Sequence, residues 1–212
     1  MDQTIQSKEF RFLTKGLRTI FTMVMIFTIM GLVVMGGLLI IAIFVPEKAV
    51  NSILANGSIS ATLQFEGMQI LLADQVAENI RFVKKNVVSL LVASTLYIAI
   101  LLWIVMLVRN LLGNLSSGVI FSVANSKKIE WIAYSIVVIS LTVGAFRTYI
   151  AYTVVQLFKL ESQLVSTDWV KDVSFHFSGI NWTLLLCGLV IWTIARVFRY
   201  GAFLQEEYDA TA

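Results

Sequence analysis

Four long stretches of the chain, about 20–45, 87–108, 131–158 and 173–195, carry a single formal charge between them, Arg147. Such runs fix the solvent before they fix the fold. About 20 apolar residues at about 1.5 Å rise each cross a hydrocarbon core about 30 Å thick, and every run meets that length. Lipid offers the backbone no hydrogen-bond partner, so a spanning segment must be a helix or part of a closed barrel. The runs are unbroken and lack period-2 alternation, which selects helices. Composition points the same way: 58% of the 212 residues are hydrophobic and 14% charged, against about 25% charged in soluble domains. The expected fold is an all-α membrane protein, residues 1–212 forming one membrane domain with four transmembrane helices. An ordinary soluble enzyme is disfavoured at this stage.

The first run lies between Arg18 and Glu47 and ends in Phe44-Val-Pro-Glu. A cleavable signal would have a shorter apolar region and a small-x-small site, so the run is expected to be retained. Lys8, Arg11, Lys15, Arg18, Arg109, Lys127, Lys128, Arg196 and Arg199 fall on one side of the four runs. They outnumber Lys48, Arg81, Lys84, Lys85, Lys159 and Lys171 on the other side, and basic residues favour the cytoplasmic face. The expected topology is a multi-pass protein of a bacterial inner membrane with both termini cytoplasmic. Residues 109–130 then form a cytoplasmic loop and 196–212 a cytoplasmic tail.

Residues 46–86 become an extracytoplasmic loop. Asn56-Gly57 is a hairpin-turn signal, Ile59, Ala61, Leu63 and Phe65 alternate with smaller or polar residues, and Glu66-Gly67 offers a second turn before Met68 to Leu72. From Asp74 onward Val76, Ile80, Val83 and Val87 recur at helical spacing, so the second span is expected to start above the membrane. With Thr148–Phe158 and the loop 159–172, these pieces predict a small ordered β-hairpin and helical cap. Asn56-Gly-Ser also matches a glycosylation sequon, which has no meaning in a bacterial cell.

One Cys and one His leave no disulfide and no zinc ligand set. Cys187, inside the fourth run, reads as a small buried hydrophobe, and His176 as an exposed or interfacial imidazole. No catalytic residue, metal ligand or cofactor is assigned. The spans hold no paired carboxylates or His-Glu-x-x-His, and a nucleophile would have no base. The basic residues lie at the ends of apolar runs, which suits lipid headgroups and argues against direct nucleic-acid binding. Arg147 lies about 24 Å along a helix begun at Trp131. Two readings stand: a stem that snorkels to the headgroups, or a ligand for an anion or for Glu66, Glu161 or Asp168. Ser140, Gly144 and Thr148, like Ser89 and Ala93, have the small-x-x-x-small spacing that permits close helix contact. Gly31, Gly36 and Gly37 leave homo-oligomerisation open.

The cytoplasmic segments are more distinctive. Between the second and third spans runs Gly118-Val-Ile-Phe-Ser-Val-Ala-Asn-Ser-Lys-Lys-Ile129, where Ser122 is a candidate helix cap. After the fourth span runs Val197-Phe-Arg-Tyr-Gly-Ala-Phe-Leu-Gln-Glu-Glu-Tyr-Asp-Ala-Thr211, amphipathic and helical to about Gln205. The competing readings are two interfacial anchors that pack on each other and a docking surface for a soluble partner.

These two segments resemble the signature of the YoaS-like family of bacterial four-span membrane proteins, a domain of unknown function. The family pattern is Gly-x-Pro-Phe with Asn four residues after the Phe, then Phe-Arg-x-Gly-x-x-Leu-Gln after the last span and Asp-x-Thr near the end. Gly118, Phe121 and Asn125 match the first part, and Phe198, Arg199, Gly201, Leu204, Gln205, Asp209 and Thr211 the second. Ile120 stands where the family has Pro, and Ala212 where it has a branched aliphatic residue. Members are often encoded beside a small XRE-type helix-turn-helix protein, which the resemblance implies as a partner. The functional expectation is a non-enzymatic membrane regulator or sensor that binds or sequesters such a protein through those ten residues. The alternative is a small transporter, channel or peptide-immunity protein with Arg147 in a polar site.

Overall fold

A computed structural model describes residues 2–56, 62–65, 68–71, 82–157, 174–176 and 179–211. In chain order these form α1 (Asp2–Phe44), α2 (Glu47–Asn56), β1 (Thr62–Phe65), β2 (Met68–Leu71), α3 (Lys84–Ser116), α4 (Val123–Leu157) and α5 (Trp182–Thr211). Within α1, α3, α4 and α5 lie four segments long and apolar enough to cross a membrane: Glu9–Phe44, Lys84–Ser116, Val123–Gln156 and Trp182–Thr211. Their exposed large side chains, such as Phe27, Val33, Leu96, Leu186 and Val190, are what a lipid-facing helix presents.

The element boundaries have local causes. α1 stops two residues before Pro46, whose ring disfavours helical backbone in the residue preceding it. α3 ends in a Schellman motif: the Val119 amide donates to the Asn114 carbonyl at 3.1 Å and the Gly118 amide to the Leu115 carbonyl at 3.1 Å. That motif needs a left-handed residue, and Gly118 has φ of 90°. The Ser122 side chain then caps α4, accepting from the Asn125 amide at 3.1 Å. Asn181 does the same for α5, its Oδ1 accepting from the Leu184 amide at 3.0 Å.

Several sequence-based boundaries therefore change. The second helix runs from Lys84 to Ser116, beyond the expected 87–108 and into the expected loop 109–130. The fourth helix starts at Trp182, not near 173, because the Asn181 cap fixes its first turn; Ser174–His176 are not helical, and Val173 lies outside the described residues. The third starts at Val123, which brings Glu130 into a helix whose apolar run was drawn from Trp131. The last helix continues past Gln205 to Thr211.

The predicted cap is not supported. Asn56, half of the expected Asn-Gly turn, ends helix α2. β1 and β2 pair antiparallel, from Thr62 opposite Leu71 to Phe65 opposite Met68. A ladder of this size is marginal by itself, and it is the whole of the described sheet. Gly57, Glu66-Gly67, the helical pattern from Asp74 to Ile80 and the loop 159–172 lie outside the described residues.

Contacts divide the chain into two units, the first comprising residues 1–34, 96–144 and 179–212, the second 35–95 and 145–178. In the first unit α1 and α3 run antiparallel: Arg109 Nε donates to Thr22 Oγ1 at 3.0 Å, and the Arg18 guanidinium lies against Gly113. α4 and α5 are joined along a seam of small residues at seven-residue spacing. Ser126, Ala133 and Ser140 on α4, and Ala195 and Gly188 on α5, are buried. Three levels are visible along it. Ser126 Oγ donates to the Ala195 carbonyl at 2.8 Å, a Cβ on Gly188 would meet Val137 Cγ2 at 2.8 Å and the Ala133 carbonyl at 3.4 Å, and the Asn181 amide donates to the Ser140 carbonyl at 3.0 Å. Seven residues is the repeat of a left-handed antiparallel pair, and small side chains bring its backbones close without any hydrophobic force between helices in lipid.

In the second unit the Asn51 side chain brackets the backbone of Phe82, accepting from its amide at 2.7 Å and donating to its carbonyl at 3.3 Å. Glu47 Oε1 accepts from the Lys84 amide at 2.8 Å, and Lys84 Nζ donates to the Ile43 carbonyl. Ser89 hydrogen-bonds the Tyr149 hydroxyl, and the Tyr152 and Phe175 rings meet edge to face at 5.5 Å.

Candidate functional site

The first unit gathers half of the sequence-predicted site into one locked corner. Asn125 is fully buried near the start of α4, and every polar atom of its side chain is used. Its Nδ2 donates to the carbonyls of Val119 (2.9 Å) and Ile120 (3.1 Å), and its Oδ1 accepts from Asn114 Nδ2 at 2.6 Å. One amide thus ties the end of α3, the turn and the start of α4 together. The turn is held by this amide at the carbonyls of Val119 and Ile120.

The turn also packs on α5. The Phe121 ring stacks at 5.4 Å and 48° on Phe198, and a Cβ on Gly201 would come within 2.6 Å of Phe121 Cδ1. Gly201 is therefore needed for the ring to reach the helix. Ala202, next to it, is buried. Deeper along α4, Glu130 Oε1 accepts from the Tyr134 hydroxyl at 2.9 Å and pairs with Arg196 at 3.3 Å, and the Arg196 guanidinium lies over the Trp192 ring at 4.8 Å. The pair is lopsided, Glu130 being 17% exposed and Arg196 47%, so its attraction is partly screened by its surroundings.

Gly118, Phe121, Asn125, Phe198 and Gly201 are thus brought together. Arg199, Leu204, Gln205, Asp209 and Thr211 are not: all five are exposed. On this last stretch Val197, Tyr200, Leu204 and Tyr208 are exposed, and their spacings of three, four and four put them on one face. Glu206, Glu207 and Asp209 follow, and no basic residue follows Arg199.

Arg147, in the second unit, is exposed and makes no ion pair among the described residues. Glu66, Glu161 and Asp168, its candidate partners, lie outside the described residues. Cys187 is exposed, contrary to the expectation of a buried thiol; the close-packed position is its neighbour Gly188. His176 is exposed, and its carbonyl accepts from the Thr148 hydroxyl at 3.2 Å.

The sequence reading missed Asn114, Ser126, Gly188, Ala195 and Ala202. For Ser126, Gly188, Ala195 and Ala202 the signal is a seven-residue recurrence of small residues on both helices, which four-residue spacing does not reveal; Asn114 carries no such signal.

The profile of one protein family, DUF2975, described as proteins of unknown function, matches residues 71–212. That range holds β2's last residue, all of α3, α4 and α5, and therefore the whole corner around Asn125. Neither a curated protein nor a solved structure matches the chain.

Proposed function

The chain belongs to the DUF2975 family, and on that premise we propose that it is a non-enzymatic, multi-pass regulator of the bacterial inner membrane. In this reading both termini are cytoplasmic, and the end of α5 binds and holds a small helix-turn-helix transcription regulator. The finer YoaS-like resemblance, carried by the motifs from Gly118 to Asn125 and from Phe198 to Thr211, belongs to the same proposal.

The observation that carries it is the last third of α5. A 30-residue helix is about 45 Å long, half as long again as the hydrocarbon core. Its last turns leave Tyr200, Phe203, Leu204 and Tyr208 exposed. An interfacial anchor would favour Lys and Arg beside its aromatic residues, whereas this segment carries Glu206, Glu207 and Asp209. Anionic headgroups repel such an end. A DNA-binding helix-turn-helix protein presents a basic face, to which an apolar stripe rimmed by carboxylates is complementary in charge and shape.

The mechanism is a population shift. A signal that favours one arrangement of the helices changes access to Leu204 and Tyr208, and the regulator is held or released by the difference in affinity. Coupling of about 1–3 kcal/mol gives about 5–150-fold control.

The test uses the full chain in lipid nanodiscs and a purified small XRE-type helix-turn-helix protein, with affinity read by biolayer interferometry. Leu204→Ala with Tyr208→Ala is expected to weaken binding at least about tenfold, as removal of apolar and aromatic anchors does. Equal binding by the wild type and the double variant refutes the reading.

A further inference from the structure

Three arginines, Arg11, Arg18 and Arg109, stand along the α1–α3 groove of the first unit, and none of them has a carboxylate partner among the described residues. The Arg18 guanidinium lies against the bare backbone of Gly113, its Cζ 3.6 Å from where a Cβ would be, and Arg11 Nη2 lies 3.9 Å from the equivalent point on Gly118. Arg109 donates through Nε to Thr22 Oγ1 at 3.0 Å, and that hydroxyl donates to the Arg18 carbonyl at 2.7 Å. Thr22 is one helical turn from Arg18, and Gly113 one turn from Arg109. The Arg18 and Arg109 guanidiniums therefore share one groove about one turn apart. The only ion pair among the described residues is Glu130–Arg196, on α4 and α5.

Two like charges in one groove repel, and an anion bound between them offsets that repulsion. The site is also positioned, because the Thr22 bond fixes Arg109 through Nε and leaves its four Nη hydrogens unassigned. Planar forks held this way match the oxygens of a phosphate. Phe10 and Leu17 are exposed on the flank of α1 about 80–100° round the helix from Arg18, which supplies an apolar surface that a free phosphate ion would not use.

We infer that Arg18 and Arg109, with Arg11 beyond them, form a binding site for the phosphate of an anionic phospholipid headgroup whose acyl chain lies on α1. This rests on the membrane setting of the four helices and not on the regulator reading, and its test contains no regulator.

The experiment is native mass spectrometry of the full chain in neutral detergent, titrated with dioleoyl-phosphatidylglycerol or dioleoyl-phosphatidylcholine. Lipid carried over by unspecific electrostatic attraction is removed beforehand by exchange through about 0.5 M salt, where the Debye length is below about 5 Å. Wild-type protein is expected to retain phosphatidylglycerol in preference to phosphatidylcholine. Arg18→Gln with Arg109→Gln should weaken retention about thirtyfold, and Arg18→Lys with Arg109→Lys, which keeps the charge and loses the fork, about tenfold. Lys127→Gln with Lys128→Gln removes equal charge from the start of α4 and should stay within about twofold of wild type. Circular dichroism melts establish that each variant is folded, and the lysine variant carries the test if the glutamine variant is not. Equal losses in the α4 control, or no loss in either arginine variant, overturn the site. Displacement of the lipid by millimolar inorganic phosphate assigns the groove to free phosphate and overturns the lipid assignment.

Discussion

Replacing Gly188 by Ala places a methyl group where the α4–α5 seam has no room for one. Its Cβ would stand 2.8 Å from Val137 Cγ2 and 3.4 Å from the Ala133 carbonyl and the Val137 amide. Carbon atoms prefer about 3.5–4.0 Å, so the side-chain contact must open by about 0.7–1.2 Å. Val137 cannot swing aside cheaply, because a β-branched residue in a helix has one favoured rotamer, and the other two atoms are backbone. The helices must separate, or Val137 must leave its rotamer. Overpacking of this kind costs about 1–3 kcal/mol, and the helix-propensity gain of Gly→Ala offsets about 1 kcal/mol of it. The expected net loss is about 0–2 kcal/mol, read by steric trapping in micelles, which reports an unfolding free energy for a membrane protein. Two comparisons isolate the cause. Gly31→Ala, at a glycine with nothing within 4 Å, carries the propensity term alone and should not destabilise. Val137→Ala removes the obstructing methyl, so the double variant should recover a coupling energy of at least about 1 kcal/mol. A Gly188→Ala protein that gains as much stability as Gly31→Ala does, or one that Val137→Ala does not relieve, refutes the packing argument.

Three further outcomes follow from the corner around Asn125. Asn125→Ala leaves the Val119 and Ile120 carbonyls and the Asn114 amide without their partner, at an expected cost of about 2–4 kcal/mol; amide exchange at 118–122 should quicken, and unchanged protection there would contradict the hub. Gly118→Ala puts a Cβ on a residue at φ of 90° and should cost about 1–2 kcal/mol, with Gly118→Asn costing less; a thermal melt that ranks Ala above Asn counts against the Schellman stop. Glu130→Gln removes a pair whose arginine is 47% exposed while the glutamine oxygen still accepts from Tyr134, so the melting temperature should fall by no more than about 1 kcal/mol implies, and a collapse of the fold would show that the pair matters far more than its exposure allows.

What the sequence disclosed, and what it hid, follows from the range of the forces involved. Four helices were legible because hydrophobic length is a property of each segment alone. The Ser122 cap and the left-handed Gly118 are local too, and both were visible as residue types at a boundary. Cys187 and Gly188 illustrate the limit: composition cannot say which of two adjacent residues in an apolar helix faces its neighbour, and in lipid the outward position is as apolar as the inward one. Only the recurrence of Ser126, Ala133 and Ser140 against Ala195 and Gly188 reveals the inward face. Asn181 was passed over because the apolar run begins before it, so the cap was outweighed by hydropathy. Phe121 with Phe198, and Gly118 with Asn125, were legible as motifs, but the role of Asn114 was not, because an amide that completes another amide's hydrogen bonds leaves no mark of its own.

The locks of the first unit are unequally distributed, and that bears on how a signal would reach the end of α5. Along α4 and α5 the backbones touch at Gly188, and two hydrogen bonds, from Ser126 to Ala195 and from Asn181 to Ser140, fix the axial register. Sliding α5 along α4 would break both bonds and carry Gly188 off Val137. Between α1 and α3, by contrast, the contacts at Gly113 and Thr22 are made by the long side chains of Arg18 and Arg109. Side chains with many rotamers tolerate shifts that a backbone-to-backbone seam does not. Under the regulator reading, α4 and α5 therefore move together, and the adjustable interface is the one lined by Arg11, Arg18 and Arg109. An anionic headgroup bound there would act on the adjustable interface and not on the seam, so lipid occupancy and regulator affinity would be linked through α3 and the Asn114–Asn125 bond that joins it to α4.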